Sequence, residues 1–439
     1  MRPFYLLIEE VNREFLSRLL IAREASARGH PVVVGQQWWM AANFSALPPG
    51  VVLFKGNNRV QGNFMREAQR AGHRVASIDE EAFVSSSETE IAAQYDPSVE
   101  PLCDLFLVQG EFQGTAVGRK FPSSEKRIMI AGNPRADLLM DPAFRPDDPL
   151  VNRYREEHGR FLLVNTNFTT INPKFGDVYT YFQVCSRLGV LDDPIMAPMD
   201  RFLQWCNWER ANFRAIIHVV KRLAGDLRDQ RIVLRPHPSE KAEIWREMFH
   251  DDLHVDVIAD GDHLAWIDAS DLLLHSGCST GLEAYLLGSD AISLTPGDRY
   301  WKTPTISNIV NPVLADTDAA VERVQALLQK GSGASLGDAH DISDYLFIDP
   351  LEKSPNRIVR ALAQLAETVI SLDQAGSRQK EVTIPASERM IAKAFISLPE
   401  VRRRLRLIEA ATGRRIAVPV KEIGPAVFQL AVERNRAEA

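Results

Sequence analysis

The sequence predicts an α/β protein of two doubly wound domains followed by a helical extension. Three observations carry this. Short apolar runs recur through the first two-thirds of the chain, amphipathic stretches with three- and four-residue spacing separate them, and the chain has 439 residues. A single α/β core rarely grows beyond about 250–300 residues, so two are expected. Strand, helix, strand repeated in this way calls for parallel sheets with helices on both faces.

The first domain is read over residues 1–145. Its candidate strands are Phe4–Ile8, Val32–Gly35, Val51–Phe54, Val75–Ile78, Leu105–Val108 and Ile128–Ala131, with helical patterns such as Glu14–Arg28 and Val60–Ala71 between them. Two segments echo one another: EASARGH at Glu24–His30 and EAQRAGH at Glu67–His73. In each a glycine falls where a helix should end, as a left-handed C-cap requires. The segment Asp141–Pro149, DPAFRPDDP, has the composition of a linker.

A second domain follows over residues 150–330. Its strands are expected at Phe161–Asn165, Ile232–Arg235, Val255–Ile258, Leu272–His275 and Ala291–Leu294. The aromatic-rich excursion Ile171–Asn212 exceeds a minimal crossover and is expected to form a lid or a subunit contact. Residues 331–439 read as a helical extension: Asn356–Leu372 is helical, and Glu388 onward is helical and locally basic (VRRRLR), packed on the first domain or used in assembly.

Bulk properties exclude several function classes. A net charge of −7 argues against a nucleic-acid binder with a broadly basic surface. No stretch approaches the roughly 20 apolar residues of a membrane span, and the apolar run near the N-terminus meets Glu9 and Glu10 too early for a secretion signal. Cys103, Cys185, Cys206 and Cys278 form no CxxC pair, as expected of reduced thiols in a cytoplasmic protein.

In doubly wound sheets ligands bind at the carboxyl ends of the strands, and two such places stand out. In VLRPHPSE (Val233–Glu240) a buried strand runs into Arg235 and His237, held by Pro236 and Pro238. A cation and an imidazole there suit a phosphate or a ribose, or form a plain structural turn. In LLLHSGCSTGLEAYLLG (Leu272–Gly288) a strand ends in a small-residue loop that opens a helix. Its backbone N–H groups and the hydroxyls of Ser279 and Thr280 suit an anion, and Glu283 in the first helical turn suits a ribose hydroxyl or the helix dipole. This is neither a Walker loop nor GxGxxG.

The pair RPHP and HSGCSTGLEAYLLG is similar to the nucleotide-binding half of GT-B glycosyltransferases, particularly bacterial capsule and lipopolysaccharide enzymes that use CMP-sugars. The stretches REFLSRLLIAREASARGHPVVVG, DEE at Asp79–Glu81, DLFLVQGE, GNPRADLL and LLVNTNF resemble surface carbohydrate biosynthesis proteins. The resemblance covers roughly residues 1–310. It implies a GT-B-like fold with two Rossmann-like domains facing a cleft, and a nucleotide-sugar donor, CMP-linked and carrying 3-deoxy-manno-octulosonic acid (Kdo) or another ulosonic acid. The implied acceptor is a glycan or lipid-linked glycan, with action at the cytoplasmic face of the inner membrane.

Carried onto this chain, the resemblance puts Arg235 and His237 on the nucleotide phosphate with Ser276, Ser279 and Thr280 beside them, and Glu283 on the ribose. Asn165 and Asn167 would face the cleft, or close an Asx turn. The first domain would bind the acceptor and supply a carboxylate to take its hydroxyl proton, or to act as nucleophile if configuration is retained. Glu9, Glu10, Asp79, Glu80, Glu81 and Glu111 all follow strands; Glu80, Glu81 and Glu111 are the first candidates, ahead of Glu9 at the cleft. Crowded carboxylates raise one another's pKa values, as a general base requires. Asn133 and Arg135 shape the cleft or simply start a helix. No metal site and no cofactor are expected: no DxD follows a strand and no HExxH occurs. The rival readings are a UDP-GlcNAc 2-epimerase, a CDP-polyol phosphotransferase and a GT-B-like scaffold without activity.

Overall fold

The structure is a computed structural model that describes residues 1–79, 81–144, 149–176, 196–227, 230–296, 305–330, 341–370, 393–413 and 419–431, without the side chains of Glu81 and Lys330. It divides into two compact units. One comprises Met1–Phe83, Ile91–Phe144 and Ser343–Ala439, the other Val84–Glu90 and Arg145–Ile342.

The first unit holds an eight-stranded sheet. Its strands are β1 (Phe4–Ile8), β2 (Val32–Gln36), β3 (Val51–Phe54), β4 (Arg74–Ile78), β5 (Leu105–Val108) and β6 (Ile128–Ile130). The second unit supplies β7 (Phe161–Asn165), β8 (Arg231–Arg235), β9 (Val255–Val257), β10 (Leu272–His275), β11 (Ala291–Leu294) and β12 (Val313–Leu314). The hairpin β13 (Val420–Gly424) and β14 (Val427–Leu430) returns to the first unit. The strand order is β13-β14-β2-β1-β3-β4-β5-β6 in one sheet and β12-β11-β10-β7-β8-β9 in the other. All pairings are parallel except β13 with β14 and β14 with β2. The expected α/β class with two doubly wound sheets is therefore observed.

The two echoing segments end their helices alike. Gly29 and Gly72 have φ of +86° and +84°, and the next residue donates back to the helix, His30 N to Ala25 O and His73 N to Ala68 O, both at 3.0 Å. This is the Schellman closure that the glycine spacing implies. The histidines are structural. His73 accepts from Gly50 N through Nδ1 at 3.2 Å and faces the Phe44 carbonyl through Nε2 at 2.9 Å; burial lowers its pKa.

The extension packs on the first unit. Ile358, Val359 and Leu362 of helix Ser354–Glu367, and Val401, Leu405 and Ile408 of helix Leu398–Thr412, share one core cluster with Phe15, Leu19 and Leu6. In the basic VRRRLR run of the latter helix Val401 and Leu405 face the core, while Arg403 and Arg404 both bind Glu400 and lower its pKa to about 2. The hairpin departs from the all-helical expectation after Glu388. Its Val427, Phe428 and Leu430 are buried while Gln429 is exposed, too brief an alternation to read locally. β14 finds its place by pairing with the open edge of β2, Phe428 against Val34. Of the excursion expected over Ile171–Asn212, residues 177–195 lie outside the described residues, and its end forms part of the 29-residue helix Pro198–Asp226.

Gly35 makes the β2–β14 pairing possible, because a Cβ there would collide with the Ala426 carbonyl and Val427 Cα. Gly35→Ala is therefore expected to cost about 1–3 kcal/mol through forced displacement of the hairpin, measured as a lowered Tm. An unchanged Tm would show that the edge yields freely.

Candidate functional site

The second sheet reverses direction at β7. The chain moves from β7 to β8 and β9 on one side, then returns with β10 on the other. This is the switch point at which ligand crevices form in open α/β sheets. Asn165 is in register with both Arg235 of β8 and His275 of β10, so three strand ends carrying the singled-out motifs lie side by side. Asn165 is 5% exposed, and its Oδ1 is buried without a hydrogen-bond partner among the described residues. Asn167, two residues on, is exposed.

The loop after β8 is organised by a residue the sequence analysis left without a role. Glu240 is buried, and its carboxylate accepts from Thr166 Oγ1 at 2.7 Å, Phe168 N at 3.0 Å, His237 N at 3.1 Å and Trp245 Nε1 at 2.8 Å. Burial pushes its pKa up and these donors pull it down. The loops after β7 and β8 are thus tied to a single carboxylate. The only local sign of it is an acid three residues after His237, where Glu240 N closes a turn on the His237 carbonyl at 2.8 Å.

His237 is exposed, and its Nδ1 accepts from Ser239 N at 3.1 Å. In the neutral ring the proton is therefore on Nε2. Arg235 turns instead toward the loop after β9, donating to the carbonyls of Asp260 (3.2 Å) and Gly261 (3.0 Å) with its guanidinium over Trp266. Burial lowers its pKa to about 10, which leaves it cationic at neutral pH.

On the other side of β7, the loop after β10 is built around His275. This ring is fully buried, accepts from Gly277 N through Nδ1 at 3.1 Å and has its pKa lowered to about 3 by burial, so it is neutral. Gly277 has a φ of +70°, and a Cβ at Gly281 would collide with His275 Nε2. Ser307 Oγ donates to the Cys278 carbonyl at 2.7 Å and accepts from Leu282 N at 3.1 Å. The helix Ser279–Leu287 then begins at Cys278, whose side chain provides no cap. Ser276 is buried and Ser279 and Thr280 are half-buried, and Thr280 Oγ1 lies 2.7 Å from Cys278 Sγ.

Glu283 corrects one expectation. It lies beyond the first turn, fully buried, with Oε1 at 3.0 Å from His263 Nε2. The half-exposed His263, not singled out from the sequence, stands between that carboxylate and solvent.

In the first unit the analogous reversal lies between β1 and β3. Glu9 follows β1 and forms an ion pair with Lys55, a buried lysine directly after β3. The buried Glu14 fixes this loop by accepting from Glu9 N at 2.8 Å. Asp79 is buried after β4, with Oδ1 4.0 Å from where a Cβ on Gly56 would lie. Glu10 has its pKa raised by burial and faces Lys393 at 3.7 Å. Glu111 is exposed at the start of helix Glu111–Lys120. Glu80 and the side chain of Glu81 lie outside the described residues. Asn133 caps the helix Pro134–Met140 by accepting from Arg135 N at 2.9 Å, and Arg135 is buried over Phe83, so both take the helix-start role.

Among the described residues no group of three or more His, Cys, Asp or Glu side chains is arranged to hold a metal ion. No described helix is long and apolar enough to cross a membrane. No protein-family model matches the sequence, and a search of curated proteins gives no significant match. Solved structures do resemble it. A UDP-GlcNAc 2-epimerase from Methanocaldococcus jannaschii is 13% identical with a TM-score of 0.53, covering 83% of this chain and 100% of the other. A UDP-GlcNAc 2-epimerase from Neisseria meningitidis bound to UDP-GlcNAc is 12% identical (TM-score 0.48; 84% and 99% covered). The wall teichoic acid polymerase TagF is 10% identical (TM-score 0.46; 83% and 89% covered). With the two sheet topologies, the first of these likenesses fixes the fold class as GT-B.

Two outcomes test the construction of this site. Glu240→Ala leaves its donors unsatisfied and is expected to cost roughly 2–4 kcal/mol, with Glu240→Gln costing less, both measured by denaturant unfolding. For His275, the folded pKa of about 3 lies below the ordinary 6.5, so its stabilising contribution is complete above pH 6.5 and is lost as pH falls toward 3. His275→Asn keeps an acceptor for Gly277 N, and unfolding measured across that range should depend less on pH than in the unmodified protein. Parallel pH profiles would show that His275 is not the titrating group.

Proposed function

We propose that this chain is a nucleotide-sugar glycosyltransferase whose second unit holds the nucleotide and whose first unit supplies the acceptor-activating carboxylate. The observation that carries this reading is the register of Asn165, Arg235 and His275 at the switch point, which sets the His237 loop and the uncapped start of helix Ser279–Leu287 on the two strand ends that flank β7. Backbone N–H groups at that start, the hydroxyls of Ser279 and Thr280 and the Nε2 proton of His237 would meet the donor's phosphate oxygens. As the sugar departs, charge grows on those oxygens, and donors already oriented toward them stabilise it without reorganisation. Ser276 and Arg235 then act mainly by shaping the two loops, and the Glu283–His263 pair is the group offered to a ribose hydroxyl.

In the first unit the proton of the acceptor hydroxyl passes to a carboxylate among Glu9, Glu80, Glu81 and Glu111. Of these, Glu9 is paired with the Lys55 ammonium. From the sequence resemblance we propose a CMP-linked donor carrying Kdo or another ulosonic acid, a glycan or lipid-linked glycan acceptor, and peripheral association with the cytoplasmic face of the inner membrane. The M. jannaschii likeness favours a second reading, isomerisation of UDP-GlcNAc. It requires no acceptor, and turnover of UDP-GlcNAc alone would select it.

Calorimetric titration with CMP, CDP, UDP and GDP, repeated on His237→Ala, tests the proposal. One nucleotide is expected to bind, at least about tenfold more weakly in the variant, since a charge-assisted hydrogen bond is lost. Selection of CMP supports the ulosonic acid donor, whereas selection of UDP supports a hexose transferase or the epimerase. Absence of binding by all four overturns the catalytic reading.

A further inference from the structure

The second unit contains a cavity of about 440 Å³ beside helix Pro198–Asp226, with Phe213, Ile244 and Met248 as apolar lining and Arg210, Arg214 and Lys241 as cations. The three cations are exposed, and none has a carboxylate partner among the described residues; Arg210 donates only to Asn207 Oδ1, at 3.0 Å. The acids nearest in sequence are engaged elsewhere. Glu209 is buried and accepts from Thr170 N and Ile171 N at 2.9 and 2.8 Å, and Glu243 lies 3.6 Å from Arg246. In a chain with a net charge of −7, three cations without a carboxylate partner among the described residues surround one apolar hollow and form a local anion trap.

The surface leading away from this trap is apolar. Leu203 and Met199 are 52% and 45% exposed on the same helix, seven and eleven residues before Arg210. These spacings return to one stripe of the helix, and at 1.5 Å per residue they lie about 10 and 16 Å from it along the axis. Exposed leucine and methionine beside a hollow lined by two arginines and a lysine match a ligand with an anionic head and an apolar tail.

We propose that this cavity binds a phosphate monoester carrying an isoprenoid- or alkyl-type chain, its head among Arg210, Arg214 and Lys241 and its tail along Leu203 and Met199. The site is distinct from the strand-end crevice yet joined to it through the chain. Asn172, in the cavity wall, accepts from Lys241 N at 3.2 Å and donates from Nδ2 to the Lys241 carbonyl at 3.1 Å, and Lys241 directly follows Glu240.

Calorimetry on the full chain with geranyl phosphate tests this, with inorganic phosphate, geraniol and phosphatidylglycerol vesicles as comparison arms. Geranyl phosphate is expected to bind more tightly than either phosphate or geraniol. The Arg210→Gln, Arg214→Gln double variant should weaken it by about tenfold or more. Leu203→Asp should weaken geranyl phosphate while leaving phosphate binding unchanged, and His237→Ala should alter neither. All these positions are exposed, and far-ultraviolet circular dichroism confirms that each variant folds. Equal affinity for inorganic phosphate, insensitivity to the double variant, competition by a nucleotide, or binding to vesicles without binding to the soluble ester would each overturn the proposal.

Discussion

The second unit depends on the burial of one carboxylate. Glu240 lies where a bare negative charge would cost several kcal/mol, and it remains there because donors from two strand-end loops and a core tryptophan converge on it. This constraint sets the spacing between the ends of β7 and β8, and hence the position from which His237 projects. On the opposite flank of β7 a similar task falls to a neutral acceptor, the buried ring of His275, which binds the N–H of Gly277. A buried carboxyl group holds one loop and an uncharged ring the other. Asn165 stands between them with an amide oxygen that no donor among the described residues meets.

Much of the scaffold was legible from the sequence for a physical reason. Strands buried on both faces must be nearly continuous apolar runs, so Phe4–Ile8, Val51–Phe54 and Leu272–His275 could be read directly, and glycine after a helix marked the Schellman closures at Gly29 and Gly72. Glu240 was not legible in its role, because the Thr166 and Phe168 donors lie 74 and 72 residues away in the chain. Glu283 was assigned to the wrong turn because Ser276, Ser279 and Thr280 are all plausible helix starts. The positive φ of Gly277 and the contacts of Ser307, which select Cys278, depend on tertiary structure.

The acids of the first unit show the same division. Local sequence places Glu9, Asp79 and Glu111 after strands, but burial distinguishes them. Asp79 is enclosed and Glu111 is exposed, while Glu9 sits against a lysine that is itself nearly inaccessible. A lysine immediately after VVLF is unremarkable as sequence. Beside Glu9 it becomes the countercharge that permits a carboxylate at a sheet edge.

The return of residues 343–431 to the first unit bears on how the protein is made. The ribosome releases β1 to β6 first, yet the helix that packs on Val11–Ala27 and the strand that covers β2 emerge only after the whole second unit. At about 5–20 residues per second, the early sheet waits for tens of seconds with an unpaired edge and part of its apolar face uncovered. During that interval the nascent chain exposes the kind of surface that chaperones recognise, whereas the second unit needs only the short Val84–Glu90 segment from upstream and can close as soon as it leaves the exit tunnel.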